Sequence, residues 1–351
     1  MKIAITADIH LKTRTETPES FNALENIFQQ MKQKGISILI IAGDLFDKEF
    51  ANYHDFDSLC REYTYIHIII IPGNHDPQIE ERFFTTSNIK IIRKPLIKEI
   101  YGSPFLFVPY DSTKSMDELL AEFWHSNELP ERWVLIGHGD YITKNKDLNP
   151  YEPGVYMPVS SRTINKFNPS RVILGHIHKQ SEFGKVIYPG SPCGLDIRET
   201  GKRKFIIFDT QTSSIETVSI ETDVIYFTES ILMLPVEDET NFLENKINQM
   251  IESWGLTNAE LKKVKLGFVI KGYTKYLHDF KNTIIDLIGQ RGVSFYSPDD
   301  PTISELKVLK DIERISVLEK VKQNIDNLPL ENFYATKDEI LEKAMELIFS
   351  E

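Results

Sequence analysis

Cysteine is nearly absent: 351 residues carry only Cys60 and Cys193, too few for a disulfide framework. Long apolar runs are missing too, since no stretch reaches the roughly 20 residues a membrane helix needs, and no membrane partner is expected. The chain opens directly on the strand-like Met1-Lys2-Ile3-Ala4-Ile5, without the charged and apolar regions of a signal peptide. A cytoplasmic protein with two free thiols is therefore the expectation, and neither thiol is a candidate nucleophile. Positive charge is also scarce. A formal net charge of −12 argues against gripping nucleic acid by bulk electrostatics alone, although bound divalent cations would reverse the sign locally. Basic residues gather at Lys90, Arg93, Lys94 and Lys98, and again at Arg198, Lys202, Arg203 and Lys204. Each stretch reads either as a solvated face or as a set of phosphate contacts. Internal repeats and low-complexity tracts are absent as well.

What remains is an ordinary globular composition, 41% hydrophobic and 26% charged, in a chain long enough for one large domain and one or two small ones. The early chain alternates. Strand 2–7 precedes a helix over 18–34, whose apolar positions Phe21, Leu24, Ile27, Phe28 and Met31 recur at helical spacing before Gly35. Strand 37–42, a helix at 54–63 and the β-branched run 65–71 follow, the last broken by Pro72-Gly73. This is a parallel α/β layer, with functional groups expected beyond the strands' carboxyl ends. Strands 105–109, 133–136 and 171–174, a helix at 115–124 and a polar loop over 139–158 continue it. Short strands near 186–188, 204–208 and 215–220 suggest a more antiparallel second half.

A catalytic domain over 1–220 is thus predicted. Strands at 224–234, 264–270 and 293–296, separated by helices 240–253 and 276–289, predict a small α+β domain over 221–297. The segment Ser297-Pro298-Asp299-Asp300-Pro301 has the composition of an exposed connection, placing a linker at 298–303. Two helices, 304–326 and 336–349, complete the chain. The first carries Leu306, Leu309, Ile312, Ile315, Leu318, Val321 and Ile325 at three- and four-residue steps, and Ile340, Leu341, Ala344, Leu347 and Ile348 repeat the pattern. Such stripes suit either the chain's own domain or a partner, and the expectation here is a partner-binding tail over 304–351.

Chemistry concentrates at strand ends. Ile38-Leu39-Ile40-Ile41-Ala42 runs into Gly43-Asp44-Leu45-Phe46-Asp47, where a glycine lets the backbone turn closely and a carboxylate with two oxygens could bridge two cations. Asp8 and His10 end the first strand, and alternation of side chains would put them on one face. Asn74, His75 and Asp76 end the third, while His138, His176 and His178 follow glycines at the ends of two later strands. Carboxylate and amide oxygens mixed with imidazoles suit manganese, iron or zinc better than calcium. His54, His67, His125 and His278 end no such strand and read as hydrogen-bonded structural residues.

The order Asp8-x-His10, Gly43-Asp44-x-x-Asp47, Gly73-Asn74-His75-Asp76, Gly137-His138 and Gly175-His176-x-His178 resembles the calcineurin-like metallophosphoesterase superfamily. Ile173 to Lys179, Tyr188-Pro189-Gly190-Ser191-Pro192 and the appended domain are most similar to SbcD-type DNA repair exonuclease subunits. The resemblance implies a two-sheet β-sandwich flanked by helices, with an α+β capping domain and C-terminal helices. It implies two divalent ions, manganese above all, one held by Asp8, His10, Asp44 and His178 and the other by Asp44, Asn74, His138 and His176. His75 would then donate a proton to the leaving oxygen, with Asp47 and Asp76 orienting it or the outer ligand shell. The implied activity is 3′–5′ exonuclease and single-strand endonuclease action on DNA, with an SbcC-like coiled-coil ATPase and a second copy of the chain as partners. A small-molecule or cyclic-nucleotide phosphodiesterase is the alternative. Lys48-Glu49-Phe50-Ala51-Asn52 departs from the proline-serine segment of those nucleases, and the stretch after Asp76 is short; both regions build their dimer interface.

Overall fold

The computed structural model describes residues 1–48, 52–126, 130–143, 154–275, 280–309, 313–329 and 335–349. They form two compact units, Met1–Leu195 with Lys202–Asp223, and Asp196–Gly201 with Val224–Glu351. No helix among the described residues is long and apolar enough to cross a membrane.

The first unit begins with β1 (Lys2–Thr6), α1 (Pro18–Gln33), β2 (Ile38–Ala42), α2 (His54–Glu62), β3 (His67–Ile71), β4 (Ile89–Ile91), β5 (Leu96–Ile100) and β6 (Ser103–Val108). It continues through α3 (Met116–Ser126), β7 (Val134–His138), β8 (Tyr141–Ile142), β9 (Val159–Ser160), α4 (Ser161–Phe167) and β10 (Arg171–Gly175). The last strands are β11 (Ser181–Phe183), β12 (Val186–Tyr188), β13 (Lys204–Asp209) and β14 (Ile215–Ser219). Proline at its first position suits the start of α1, and Gly35 at φ 65° ends the helix, with Ile36 N donating to Met31 O at 2.9 Å.

Two six-stranded sheets result, ordered β14-β13-β1-β2-β3-β4 and β11-β12-β10-β7-β6-β5. Strands β1 to β4 are parallel, as are β12, β10, β7 and β6, and the antiparallel strands lie towards the margins. Ile3, Ile5, Ile40 and Ile69 of one sheet meet Phe105, Phe107, Ile136 and Ile173 of the other in a shared core, which makes the unit a β-sandwich. The alternate residues Leu106, Leu135, Val172 and Leu174 face outward onto Met116 and Leu120 of α3 and Ile164 and Phe167 of α4. Burial on both faces explains why the strands read as almost unbroken apolar runs. It also leaves the carboxyl ends of β1, β2, β3, β7 and β10 as places where polar groups can collect.

The second unit holds β15 (Ile225–Met233), α5 (Glu239–Ser253), α6 (Asn258–Leu261), β16 (Val264–Thr274), α7 (Phe280–Gln290), β17 (Ser294–Phe295), β18 (Thr302–Val308), α8 (Ile315–Asp326) and α9 (Lys337–Phe349). Strand β16 is central, with β15 on one side and β17 and β18 on the other, all parallel to it. Leu243 and Ile247 of α5 and Ile284 and Ile288 of α7 pack on Leu266, Phe268 and Ile270.

One expectation about this unit is corrected. Residues 302–303 of the expected linker and the start of the helix from 304 give way to strand β18, and the first tail helix begins only at Ile315. The pairs Val269↔Thr302 and Lys271↔Glu305 set two steps of β16 against three of β18, so a bulge adds one residue. Ile303 and Leu306, three positions apart, therefore both reach the same core, and this step imitates helical spacing in the sequence. Part of the apolar stripe of the tail helices finds cover within the unit. Leu318, Ile325, Leu341 and Met345 are buried with Leu232, Leu234 and Tyr273 of the same unit, flanked by Leu309, Val321, Ile340, Ala344 and Ile348. Lys271 Nζ lies 2.5 Å from Glu342 Oε2 beside this contact. The stripe is thus covered by the chain's own sheet, while Val317 and Leu347 point outward. Ile312 lies outside the described residues, as do positions 49–51, on which the departure bearing on a homodimer rests.

Met345 is 0% exposed and Leu347 is 79% exposed, which gives a direct test of this packing. Met345→Ala should destabilise the second unit by about 2–5 kcal/mol, whereas Leu347→Ala should change it by less than about 0.5 kcal/mol. Chemical denaturation of the two variants side by side measures the difference, and equal midpoints would refute the docked tail.

Candidate metal centre

The loops that leave β1, β2, β3 and β10, with the last residue of β7, bring the strand-end side chains together. Asp8 and His10 do not follow strand alternation. With φ of 55° and 51° both are left-handed, as are Asp44 at 49° and His176 at 99°, a conformation that costs a non-glycine residue about 1–3 kcal/mol. Hydrogen bonds between loops hold them there. Asp8 N donates to Gly43 O at 3.1 Å, and Ile9 N and His10 N both donate to Asp44 O, at 2.8 and 3.1 Å. Asp76 ties in the third loop, accepting from Gly73 N at 2.7 Å, Leu45 N at 2.9 Å and Phe46 N at 3.2 Å. Its carboxylate therefore acts on the backbone of the Asp44 loop, and these bonds do not orient the His75 ring.

Close approach of backbone to ligand accounts for two of the glycines. A Cβ on Gly43 would stand 2.1 Å from His138 Nδ1, and one on Gly175 would stand 2.0 Å from Ala42 O. That carbonyl is already the partner of His138 Nδ1, at 2.9 Å.

Asp8 and Asp44 each give one carboxylate oxygen to a backbone amide. Asp8 Oδ1 accepts from His176 N at 2.8 Å, and Asp44 Oδ1 from His75 N at 2.8 Å. Asp44 Oδ2 lies 3.3 Å from His138 Nε2 and 3.9 Å from His10 Nε2. Asp8 Oδ2 is buried without a hydrogen-bond partner. His10 Nε2 and His178 Nε2 face each other at 3.1 Å, where two lone pairs repel unless a proton or cation intervenes. Asn74 Oδ1 lies 2.8 Å from His138 Nε2 and 3.1 Å from His176 Nδ1. An orphaned carboxylate oxygen, facing nitrogens and a neutral amide oxygen are what a pair of borderline divalent cations would satisfy. Asp8, His10 and His178 form one group with ligand atoms within 4.8 Å of each other, and Asp8, Asp44 and His138 another. A third comprises His10, Asp44 and His75, so His75 also has the placing of a ligand.

The Nδ1 atoms of His10 and His75 both face one carboxylate, the kind of group that the far nitrogen of a metal-bound histidine usually meets. Asp47 Oδ1 is 3.8 Å from His10 Nδ1 and 3.3 Å from His75 Nδ1, and Lys12 Nζ is 3.0 Å from Asp47 Oδ2. The nearness of His10, then of His75, holds the Asp47 carboxyl far below the usual carboxylate range, against its burial. Burial pushes Asp8 up, against the charges of His138 and His178. Burial works in the same sense on Asp44, but His138, His10 and His75 outweigh it and hold that group low. Burial raises Asp76 to about 6, with the Asp44 charge adding to it and the backbone amides opposing. For His138, burial favours the neutral ring, yet Asp44 and Asp8 prevail and push it up to about 9. A proton on His138 thus offsets part of the carboxylate charge when no cation does.

Asp140 was not singled out in the sequence, although it stands two residues after His138 in Gly137-His138-Gly139-Asp140. It is buried, with Oδ1 3.6 Å from His176 Nε2. Arg203 is also recast. Buried, it donates to the carbonyls of His178 and Ser191 and to Ser191 Oγ, bracing a ligand loop where a phosphate contact had been an option. Lys90 pairs with Glu81, Arg93 with Glu80 and Arg198 with Asp196. His54 opens α2, His67 opens β3 and His125 lies in α3, away from these loops; His278 lies outside the described residues.

Residues 1–180 match the family described as calcineurin-like phosphoesterase. The chain is 24% identical over 246 residues to the SbcD component of the nuclease SbcCD from Staphylococcus saprophyticus subsp. saprophyticus, covering 58% of this chain and 64% of that relative. A solved structure described as a novel archaeal phosphodiesterase aligns with 62% of this chain and 99% of its own, at 17% identity and a TM-score of 0.34.

His138 makes metal binding depend on pH. Its folded pKa of about 9 lies above the ordinary 6.5, so in the metal-free protein its stabilising effect is full below pH 6.5 and is lost as pH rises through 9. A cation that takes Nε2 must displace that proton. Between pH 6.5 and 8.5 the chelator-treated protein should melt progressively earlier, while apparent manganese affinity rises by up to about tenfold per pH unit for each proton released. Calorimetric titration in two buffers of different ionisation enthalpy reads the proton directly, and no release at pH 7.5 would contradict the assignment.

A place for Asp44 in both metal sets is what the family resemblance implies; by distance it stands in two of the three groups, as Asp8 and His10 do, and His178 in one. Asp44→Ala should therefore empty both metal positions and His178→Ala should weaken one. Metal analysis of the purified variants checks this; two tightly held ions in Asp44→Ala would remove the bridging role.

Proposed function

Because the chain belongs to the calcineurin-like phosphoesterase family, we propose that it is a metal-dependent DNA nuclease, a 3′–5′ exonuclease and single-strand endonuclease using two manganese ions. The observation that carries the hydrolytic part is the overlap of three donor groups that share Asp8, His10 and Asp44, with Asp8 Oδ2 buried without a hydrogen-bond partner and Asp44 Oδ2 3.3 Å from His138 Nε2. Similarity to the SbcD component of a nuclease supports DNA as substrate. The match spans 64% of that relative, so substrate and partner alike belong to the proposal.

Two divalent ions in this set would neutralise phosphate charge and lower the pKa of the attacking water. The chain's own groups have separable duties. Asp8, His10, Asp44 and His178 would hold one ion, and Asp44, Asn74, His138 and His176 the other. His75 stands edge-on to His10, ring centroids 4.6 Å apart, with Nδ1 towards Asp47. Asp47 thereby fixes the ring so that Nε2 can hand a proton to the leaving oxygen. Asp47 is a positioning residue in this scheme, and Asp76 keeps the loops of Asp44 and Asn74 in register. A coiled-coil ATPase partner, implied by the resemblance, would meet the outward face of α8 and α9, where Val317 and Leu347 are exposed, because the inward stripe is already covered.

The test is purified protein with manganese on end-labelled linear duplex, single-stranded and circular DNA, beside cyclic nucleotides. Shortened linear strands and opened single-stranded circles are the expected products; hydrolysis of cyclic nucleotides with DNA intact would replace the reading with a small-molecule phosphodiesterase. In the same assay His75→Ala should keep both ions while cleavage falls about 100-fold or more. Loss of an ion in that variant would make His75 a ligand.

A further inference from the structure

We propose that Asp140 is a positioning residue for the second metal set: it fixes His176 in the tautomer that presents Nδ1 to a cation. The inference rests on the two-ion reading above. His176 Nδ1 lies 3.1 Å from Asn74 Oδ1, on the side where His138 Nε2 also converges. Its other nitrogen, Nε2, faces Asp140 Oδ1 at 3.6 Å, and the two side chains are 1% and 10% exposed. A neutral imidazole offers a lone pair at one nitrogen only when the proton sits on the other. An acceptor at Nε2 therefore makes Nδ1 the ligating atom. The separation is longer than a formed hydrogen bond, but a cation on Nδ1 makes Nε2–H a stronger donor and draws on this carboxylate.

The second oxygen of Asp140 has a different duty. Oδ2 accepts from Tyr156 N at 2.7 Å, while Asp140 N donates to Tyr156 O at 2.9 Å and Val159 N donates to Asp140 O at 2.8 Å. This staple sets the carboxylate's angle, and the Tyr156 ring lies against His176 with centroids 4.8 Å apart. His138, by contrast, uses the Ala42 carbonyl as its partner, which no side-chain substitution removes. Asp140 is thus the far-nitrogen partner in this set that mutation can reach.

The staple and the tautomer can be separated by Asp140→Asn. Its amide oxygen can keep the bond from Tyr156 N while its NH2 faces His176 Nε2, favouring a proton on Nδ1 and blocking ligation. Manganese titration of the chelator-treated full chain by calorimetry gives stoichiometry and affinity without any activity measurement. The expectation is that wild type takes two ions, and that Asp140→Asn weakens one of them about 10–100-fold with an unchanged metal-free melting temperature. His176→Asn should lose the same ion, and adding Asp140→Asn to it should cost nothing more. Wild-type binding by Asp140→Asn would overturn the proposal, because a staple alone predicts it, and additive losses in the double variant would overturn it too, because they would place the effect of Asp140 outside His176. If Asp140→Asn melts early, Asp140→Glu against Asp140→Ala decides: the carboxylate should recover affinity that alanine loses, and equal weakness would overturn the role. Two ions bound by a wild-type protein that cleaves no DNA would defeat the nuclease reading alone, and fewer than two would defeat the two-ion reading itself.

Discussion

Two carboxylates, Asp8 and Asp44, lie buried where the carboxyl ends of two sheets meet, and such a pair cannot remain ionised in a low-dielectric interior without compensating positive charge. Much of the first unit follows from meeting that demand. One oxygen of each carboxylate takes a backbone amide; imidazoles lie against the other oxygen of Asp44, and that of Asp8 has no hydrogen-bond partner. The raised basicity of His138 expresses the same demand in protons. Cation binding and protonation are then alternative solutions to one electrostatic problem.

Holding those groups close requires backbone that ordinary residues avoid. Left-handed conformations at Asp8, His10, Asp44 and His176 persist because neighbouring loops over-determine them. The Asp76 carboxylate joins the loops after β2 and β3, and Arg203 braces the carbonyl of His178. Neither needs to touch a substrate to matter. Their role is to convert two rigid sheets into a fixed set of donor positions, which is the arrangement that makes strand-end sites precise.

Where the structure departs from the sequence pattern, the cause is local. Leu306 looks helical because a bulge in β18 puts Ile303 and Leu306 on one face three residues apart. The tail stripe has the same pattern whether a partner or the chain's own sheet covers it, and Leu232, Leu234 and Tyr273 decide for the latter. Asp8 and His10 converge through left-handed turns, although strand alternation predicts the same convergence for another reason.

The sequence by itself determined the alternating strands and helices of residues 2–71, through apolar periodicity, and the candidate donors, through glycines and acids or imidazoles at strand ends. Such signals are local, so one strand suffices to show them. Only tertiary structure decided that Asp76 clamps backbone, that Asp140 faces His176, that His75 stands within reach of His10 and Asp44, and that Arg203 is buried. A carboxylate or guanidinium looks the same in sequence whether it meets water, an amide or an imidazole. Its partner comes from a distant segment, and strand pairing that sets β2 beside β3 and β7 beside β10 brings that segment within 4 Å.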